Sequence, residues 1–150
     1  MVLLMDLNEQ ADRDFGAARR KAWLRRLALR FLRKSDSVAP SFRELQNELR
    51  AHNRVRRGRR LVDTGEILGS VGRSKDFDRN FSPLRASYGE RWKRVDLAFH
   101  RGEDLPPVSL YKLDGAYFVL DGNHRVSVAR YHSVREVEAE VTEFLPARAA

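Results

Sequence analysis

The sequence contains no cysteine, so disulfides, thiolate-ligated zinc, iron–sulfur clusters and a thiol nucleophile are excluded together. Its four histidines leave only metal sites built without thiolate. Long apolar runs are missing as well. Met1 to Met5 is apolar and Asp6 ends the stretch, short of the roughly 7–15 apolar residues of a secretion signal or the roughly 20 of a membrane helix. A cytoplasmic protein without a membrane partner is the expectation. The composition, 42% hydrophobic and 33% charged over 150 residues, excludes a collagen-like or wholly disordered chain and suits one domain, or one domain with an appendage.

Acidic residues are scarce at the front. Residues 1–60 hold 16 Lys and Arg against 7 Asp and Glu, and the other 90 hold 13 against 14, so the front carries +9 and the rest −1. A near-neutral body with a cationic arm is expected. Such an arm meets nucleic-acid phosphates or acidic lipid and protein surfaces, or else it is a solvated Arg-rich face.

From Asp12 to Lys34, Leu24, Leu27, Ala28, Phe31 and Leu32 recur at helical spacing, with Arg19, Arg26, Arg30 and Arg33 on another face. Ser35-Asp36-Ser37 should end this helix. Pro40-Ser41 begins a second one, in which Ser41 and Glu44 form a capping box and Phe42, Leu45 and Leu49 make the buried side. Arg54, Arg56, Arg57, Arg59 and Arg60 then place five arginines in seven residues with almost nothing apolar. This reads as a flexible basic linker and as the candidate nucleic-acid contact. The connection from Lys34 to Ser41 is longer than a helix-turn-helix allows. A helical hairpin docked on the body and a dimerisation element fit the front equally well.

Residues 61–150 read as the body. Glu66 to Arg73 gives a short strand that breaks into a Gly/Ser turn, where Gly69, Ser70, Gly72 and Arg73 could admit and pair a phosphate or simply end a strand. Ser74 to Ala86, with Phe77, Phe81 and Pro83, reads as a loop pinned by aromatics and a candidate lid. Gly89 to Arg101 is a helix, with Trp92 in the core and Gly102 ending it. Val108 to Leu113 and Ala116 to Leu120 alternate as strands around Asp114-Gly115, a two-residue hairpin signal. Asp121-Gly122-Asn123-His124-Arg125 then feeds a helix ending near His132-Ser133. The free N–H groups of a helix start, a glycine and three donor side chains make a phosphate cradle, while a capped helix start with a surface His and Arg is the plainer reading. Glu136 to Glu143 alternates as a strand with Val137, Ala139 and Val141 inward and its glutamates solvated. No clustered carboxylates or histidines resembling a two-metal site are visible in the sequence.

Residues 105–130, LPPVSLYKLDGAYFVLDGNHRVSVAR, together with ILGSVGR at 67–73, resemble the ParB/sulfiredoxin superfamily domain, including the ParB-like nuclease domain. The matching parts are the extended segment, the hairpin, the Gly-x-x-Arg helix start at Gly122 to Arg125, and the earlier Arg-bearing loop. The resemblance implies an α+β fold, a small mixed sheet with flanking helices, over residues 61–150, preceded by a basic helical segment and linker over 1–60. It also implies a nucleotide site, since ParB partition proteins bind and hydrolyse CTP and sulfiredoxins use ATP, and it implies a homodimer. Asn123 stands where a sulfiredoxin has its catalytic cysteine, which excludes sulfiredoxin chemistry.

On this resemblance Gly69, Ser70, Gly72, Arg73, Gly122, Asn123, His124 and Arg125 would bind CTP or ATP. His124 and Arg125 would neutralise the phosphates. Asp121 and His124 would be the catalytic pair, with Asp121 the Mg2+ ligand or water-orienting base and Glu66 a distant second. The alternative is a non-catalytic nucleic-acid-binding protein that uses its Arg-rich front, with the ParB-like body as scaffold.

Overall fold

The computed structural model describes residues 4–31, 41–73, 75–78 and 80–147, and in its first helix the side chains of residues 6–24. In chain order the elements are α1 (Leu4–Phe31), α2 (Phe42–Leu49), β1 (Asn53–Asp63), β2 (Ile67–Ser70), α3 (Gly89–His100), β3 (Val108–Leu113), β4 (Ala116–Asp121), α4 (Asn123–Tyr131) and β5 (Glu136–Leu145), with 3-10 turns at Thr64–Glu66 and Ala86–Tyr88. The protein is α+β. Its five strands form one mixed sheet in the order β1-β5-β3-β4-β2.

Local chemistry accounts for the central hairpin. Asp114 and Gly115 take φ of 51° and 81°, the left-handed pair of a two-residue turn whose twist suits antiparallel strands. β3 therefore pairs antiparallel with β4, while β2 joins β4 and β5 joins β3 in parallel. One sheet face buries Val62, Val108, Leu110, Val119, Ala139 and Val141 against Val126 of α4 and the loop residues Phe77 and Phe81. The other buries Leu113, Phe118 and Phe144 against Phe42 of α2. The Phe42 ring lies 5.4 Å from those of Tyr111, Phe118 and Phe144, inside the range of favourable aromatic pairs. Ser41 caps α2 by accepting from the Glu44 N–H at 3.4 Å, so the second helix starts where its sequence says. α2 docks on this face of the sheet through Phe42, Leu45 and Leu49.

Three expectations are corrected. The basic segment Arg54 to Arg60 is not a linker but most of β1, paired antiparallel with β5 from Asn53↔Leu145 to Asp63↔Glu136 with a bulge between Arg56 and Gly58. A boundary at 60/61 therefore runs through the middle of a strand. The cause is charge complementarity, because Arg57 Nε lies 2.9 Å from Glu143 Oε1 and Arg59 Nε 3.2 Å from Glu140 Oε1. Two of the five arginines, Arg57 and Arg59, are thereby neutralised by glutamates of β5. Those glutamates do not guard an edge either, since β5 lies between β1 and β3.

The second correction concerns α1. Its buried face is Ala11, Asp14, Phe15, Ala18 and Ala22, whereas Leu24 of the expected stripe is 55% exposed. Phe15 and Ala18 pack with Trp92 of α3 and Val128 of α4. Three alanines and one buried aspartate carry little apolar signal, yet small side chains let helices approach closely. Leu27, Ala28, Phe31, Leu32, Arg26, Arg30, Arg33 and the segment Ser35 to Ser37 lie outside the described side chains. Third, the loop read as a lid is fastened. Phe77 and Phe81 are core residues, Asp78 Oδ1 accepts from the backbone N–H groups of Asn80 and Ser82 at 2.9 Å each, and the Ser127 hydroxyl donates to the Phe81 carbonyl while accepting from Trp92 Nε1.

Candidate phosphate-binding cleft

β4 ends and α4 begins at Gly122, which takes φ of 107° as the residue before the helix. A Cβ there would stand 2.6 Å from Val108 Cγ1 and 3.1 Å from Arg125 Nη2, so only glycine lets β4 turn this tightly beside the start of β3. No side chain caps α4, so its first N–H groups lack a side-chain acceptor at the positive end of the helix dipole. In front of them lies a cleft of about 350 Å³, lined by Arg73, Arg91, Arg94, Asp121, Asn123, His124 and Arg125 among others.

Four arginines from three elements converge here against the single carboxylate of Asp121. Arg73 comes from the turn after β2 and is aimed by Asp76, whose Oδ2 is 2.7 Å from its Nε, and by the Tyr88 ring, 4.6 Å from the guanidinium carbon. Asp76 also holds the Arg73 pKa above its ordinary value. Arg125 donates through Nη1 to the Pro106 and Pro107 carbonyls at 2.6 and 3.0 Å, and its Nη2 is 3.3 Å from Asp121 Oδ2. Arg91 and Arg94 project from α3, and among the described residues neither has a carboxylate partner.

Two side chains at the helix start are unsatisfied. Asn123 is buried with no hydrogen bond to its Oδ1, and both ring nitrogens of His124 are likewise buried without partners. Phe77 and Tyr88 flank the imidazole at 5.4 and 5.9 Å. Burial, reinforced by the charges of Arg73 and Arg91, lowers the His124 pKa to about 4. In the unliganded cleft this favours the neutral imidazole, which offers one N–H and one lone pair. Buried polar atoms without partners cost free energy until something pairs with them.

The structure thus brings Arg73, Asp121, Gly122, Asn123, His124 and Arg125 to one cleft. It does not bring Gly69, Ser70 or Gly72. Gly69 is buried within β2, opposite Phe118. Ser70 Oγ donates to the Val119 carbonyl at 3.3 Å and accepts from the Arg73 N–H at 3.1 Å, which fixes the turn rather than the cleft. Gly72 borders open space, and Glu66 is an exposed residue of the 3-10 turn before β2. Arg54, Arg56, Arg57, Arg59 and Arg60 lie on β1, at the sheet edge opposite β2. Arg91 and Arg94 went unnoticed in the sequence. Their only signal is a spacing of three on a helix, which puts them on one face without saying what that face meets.

No protein-family model matches the chain, and no curated protein does. Among solved structures the chain is similar to a sulfiredoxin from Arabidopsis thaliana, at 14% identity and a TM-score of 0.40, over 55% of this chain and 82% of that one. Among the described residues no helix is long and apolar enough to cross a membrane.

Proposed function

We propose that the chain binds a nucleoside triphosphate, CTP or ATP with Mg2+, with its phosphates in the cleft at the start of α4. The observation that carries this reading is the convergence of Arg73, Arg91, Arg94 and Arg125 on an uncapped helix N-terminus. Guanidinium forks and free backbone N–H groups match phosphate oxygens in shape and charge. The His124 N–H, which now lacks a partner, would donate to a phosphate oxygen, and Asn123 Oδ1 would accept from a hydroxyl or amine of the nucleoside.

The residues fit Mg2+ in one way only. Asp121, whose side chain is 79% exposed, is the one carboxylate on the cleft lining. One carboxylate suits an ion that takes its other ligands from phosphate oxygens and water. Mg2+ bound there would supply charge neutralisation between phosphates, and Asp121 would hold it at the rim. Asp121 would also orient a water. His124, neutral and enclosed by rings, would act as a hydrogen-bond donor and not as an acid at pH 7.

Isothermal titration of the chain with CTP, ATP, GTP and UTP, each with Mg2+, tests the reading. Selective triphosphate binding that weakens about 10-fold or more in Arg91→Ala or Arg94→Ala supports it, since a lost charged hydrogen bond costs roughly 1.5–3 kcal/mol. No binding by any nucleotide refutes it. Phosphate release in the same samples, with and without duplex DNA, separates a binding switch from an NTPase.

The second reading, nucleic-acid binding through the basic front, draws on β1. Its five arginines lie on an exposed strand, though Arg57 and Arg59 already pair with Glu143 and Glu140. Arg54, Arg56 and Arg60 are then the residues that would meet phosphates.

A further inference from the structure

Away from the cleft, α1, α3 and α4 meet at a second polar cluster. Asp14 of α1, Asp96 and His100 of α3, and His132 at the end of α4 each offer one ligand atom, all within 4.8 Å of one another. Asp96 and His100 are four apart on one helix and therefore share a face. His132 is the residue that closes α4, and Asp14 sits on the buried stripe of α1. The four groups are held by three separate helices.

The distances suit a single ion. His100 Nε2 lies 2.8 Å from Asp14 Oδ2 and 3.5 Å from Asp96 Oδ2, while His132 Nε2 lies 2.6 Å from Asp96 Oδ1 and 3.6 Å from Asp14 Oδ2. Tetrahedral zinc with bonds near 2.0–2.1 Å keeps neighbouring ligands about 3.3 Å apart, so the four need shift by only fractions of an ångström to a little more. Asp96 is 0% exposed, and its Oδ2 has no hydrogen-bond partner although it faces this cluster. Two buried carboxylates this close demand positive charge.

The surroundings orient the ligands. Gln10 Nε2 donates to Asp14 Oδ1 at 2.9 Å, Phe99 stacks on His132 at 4.2 Å between centroids, and the two histidine rings stand edge to face at 5.1 Å. Such outer contacts fix ligand orientation in metal sites. The geometry points to Asp14, Asp96, His100 and His132 as a binding site for one divalent transition metal, Zn2+ by its mixed imidazole and carboxylate donors, that clamps α1 onto α3 and α4. Four protein ligands leave no open coordination position, so the site is structural and not catalytic. Imidazole nitrogens select against Mg2+ and Ca2+, which prefer oxygen donors throughout.

The test uses the full chain, stripped with a chelator and titrated separately with Zn2+ and Co2+. One equivalent of Zn2+ should bind per chain and raise the unfolding temperature, and bound Co2+ should show the intense visible absorption of a four-coordinate ion. His132→Gln and Asp14→Asn, checked for fold by circular dichroism, should each weaken Zn2+ binding by at least about 10-fold, the least that even an outer-contact change costs. No saturable uptake, the weak spectrum of octahedral Co2+, or undiminished uptake by folded His132→Gln overturns the site. The Co2+ spectrum is read on the unaltered chain, so a variant that fails to fold leaves the proposal open to refutation.

Discussion

Arg125 Nη1 lies 2.6 Å from the carbonyl oxygen of Pro106, which ties the start of α4 to the extended segment before β3. With a second bond to Pro107 and a side chain only 16% exposed, Arg125 is a structural brace as well as a cleft residue. Its sequence suggests a solvated cation whose removal costs less than about 0.5 kcal/mol. The geometry gives a different expectation. Arg125→Ala should destabilise the chain by about 1.5–3 kcal/mol, measured by chemical denaturation, and a loss below about 0.5 kcal/mol would deny the brace.

Gly122→Ala should be worse tolerated than an ordinary surface change. The new Cβ would lie 2.6 Å from Val108 Cγ1 at a φ of 107°, and strain of this kind costs roughly 1–3 kcal/mol. Combining it with Val108→Ala should give back part of the loss by removing the nearer contact, that to Cγ1, while the one to Val108 Cβ at 2.9 Å remains. Strict additivity in a double-mutant cycle would contradict that contact.

His124 makes a pH prediction. In the unfolded chain it takes up a proton near pH 6.5, but in the folded chain only near 4. Between these values the unfolded state binds more protons, so stability falls as the pH is lowered through the window. Arg73 and Arg91 facing the ring strengthen the effect and Asp76 opposes it. Other groups titrate in the same range, so the comparison is with His124→Gln, whose stability relative to wild type should rise from pH 6.5 down to 4. Parallel pH profiles would show that the ring is accessible to protons after all.

The strand arginines should divide into two groups. Replacing Arg57 and Arg59 with Gln should cost stability, by less than about 1 kcal/mol for each partly exposed pair. Replacing Arg54, Arg56 and Arg60 should leave stability unchanged and flatten the salt dependence of any nucleic-acid binding. Equal effects of both sets on that salt slope would mean that the ion pairs with Glu143 and Glu140 do not compete.

What the sequence discloses is what local chemistry decides. Asp114-Gly115 specifies its turn by backbone preference, Ser41 and Glu44 mark a helix start, Val137, Ala139 and Val141 give away the inner face of β5, and Gly122 announces a tight entry into α4. Features that depend on a distant partner stay hidden. The arginines of β1 read as a linker until β5 stands beside them and gives Arg57 and Arg59 their glutamate partners. Arg91 and Arg94 become cleft residues only through the rotation at which α3 packs on α4. Asp14, Asp96, His100 and His132 are scattered so widely that only the meeting of three helices makes them neighbours. His124 reads as a cation because nothing adjacent in sequence reveals Phe77 and Tyr88 around it.

The outer position of β1 sets how the sheet meets other molecules. An unpaired strand edge is ordinarily an invitation for another strand to attach, and growth by repeated attachment leads to fibrils. Here the border carries five guanidinium groups and a bulge between Arg56 and Gly58. A second copy approaching edge to edge would bring the same positive fringe and an equally kinked outline. The unpaired arginines of this border make edge-to-edge pairing of two copies along β1 electrostatically unfavourable.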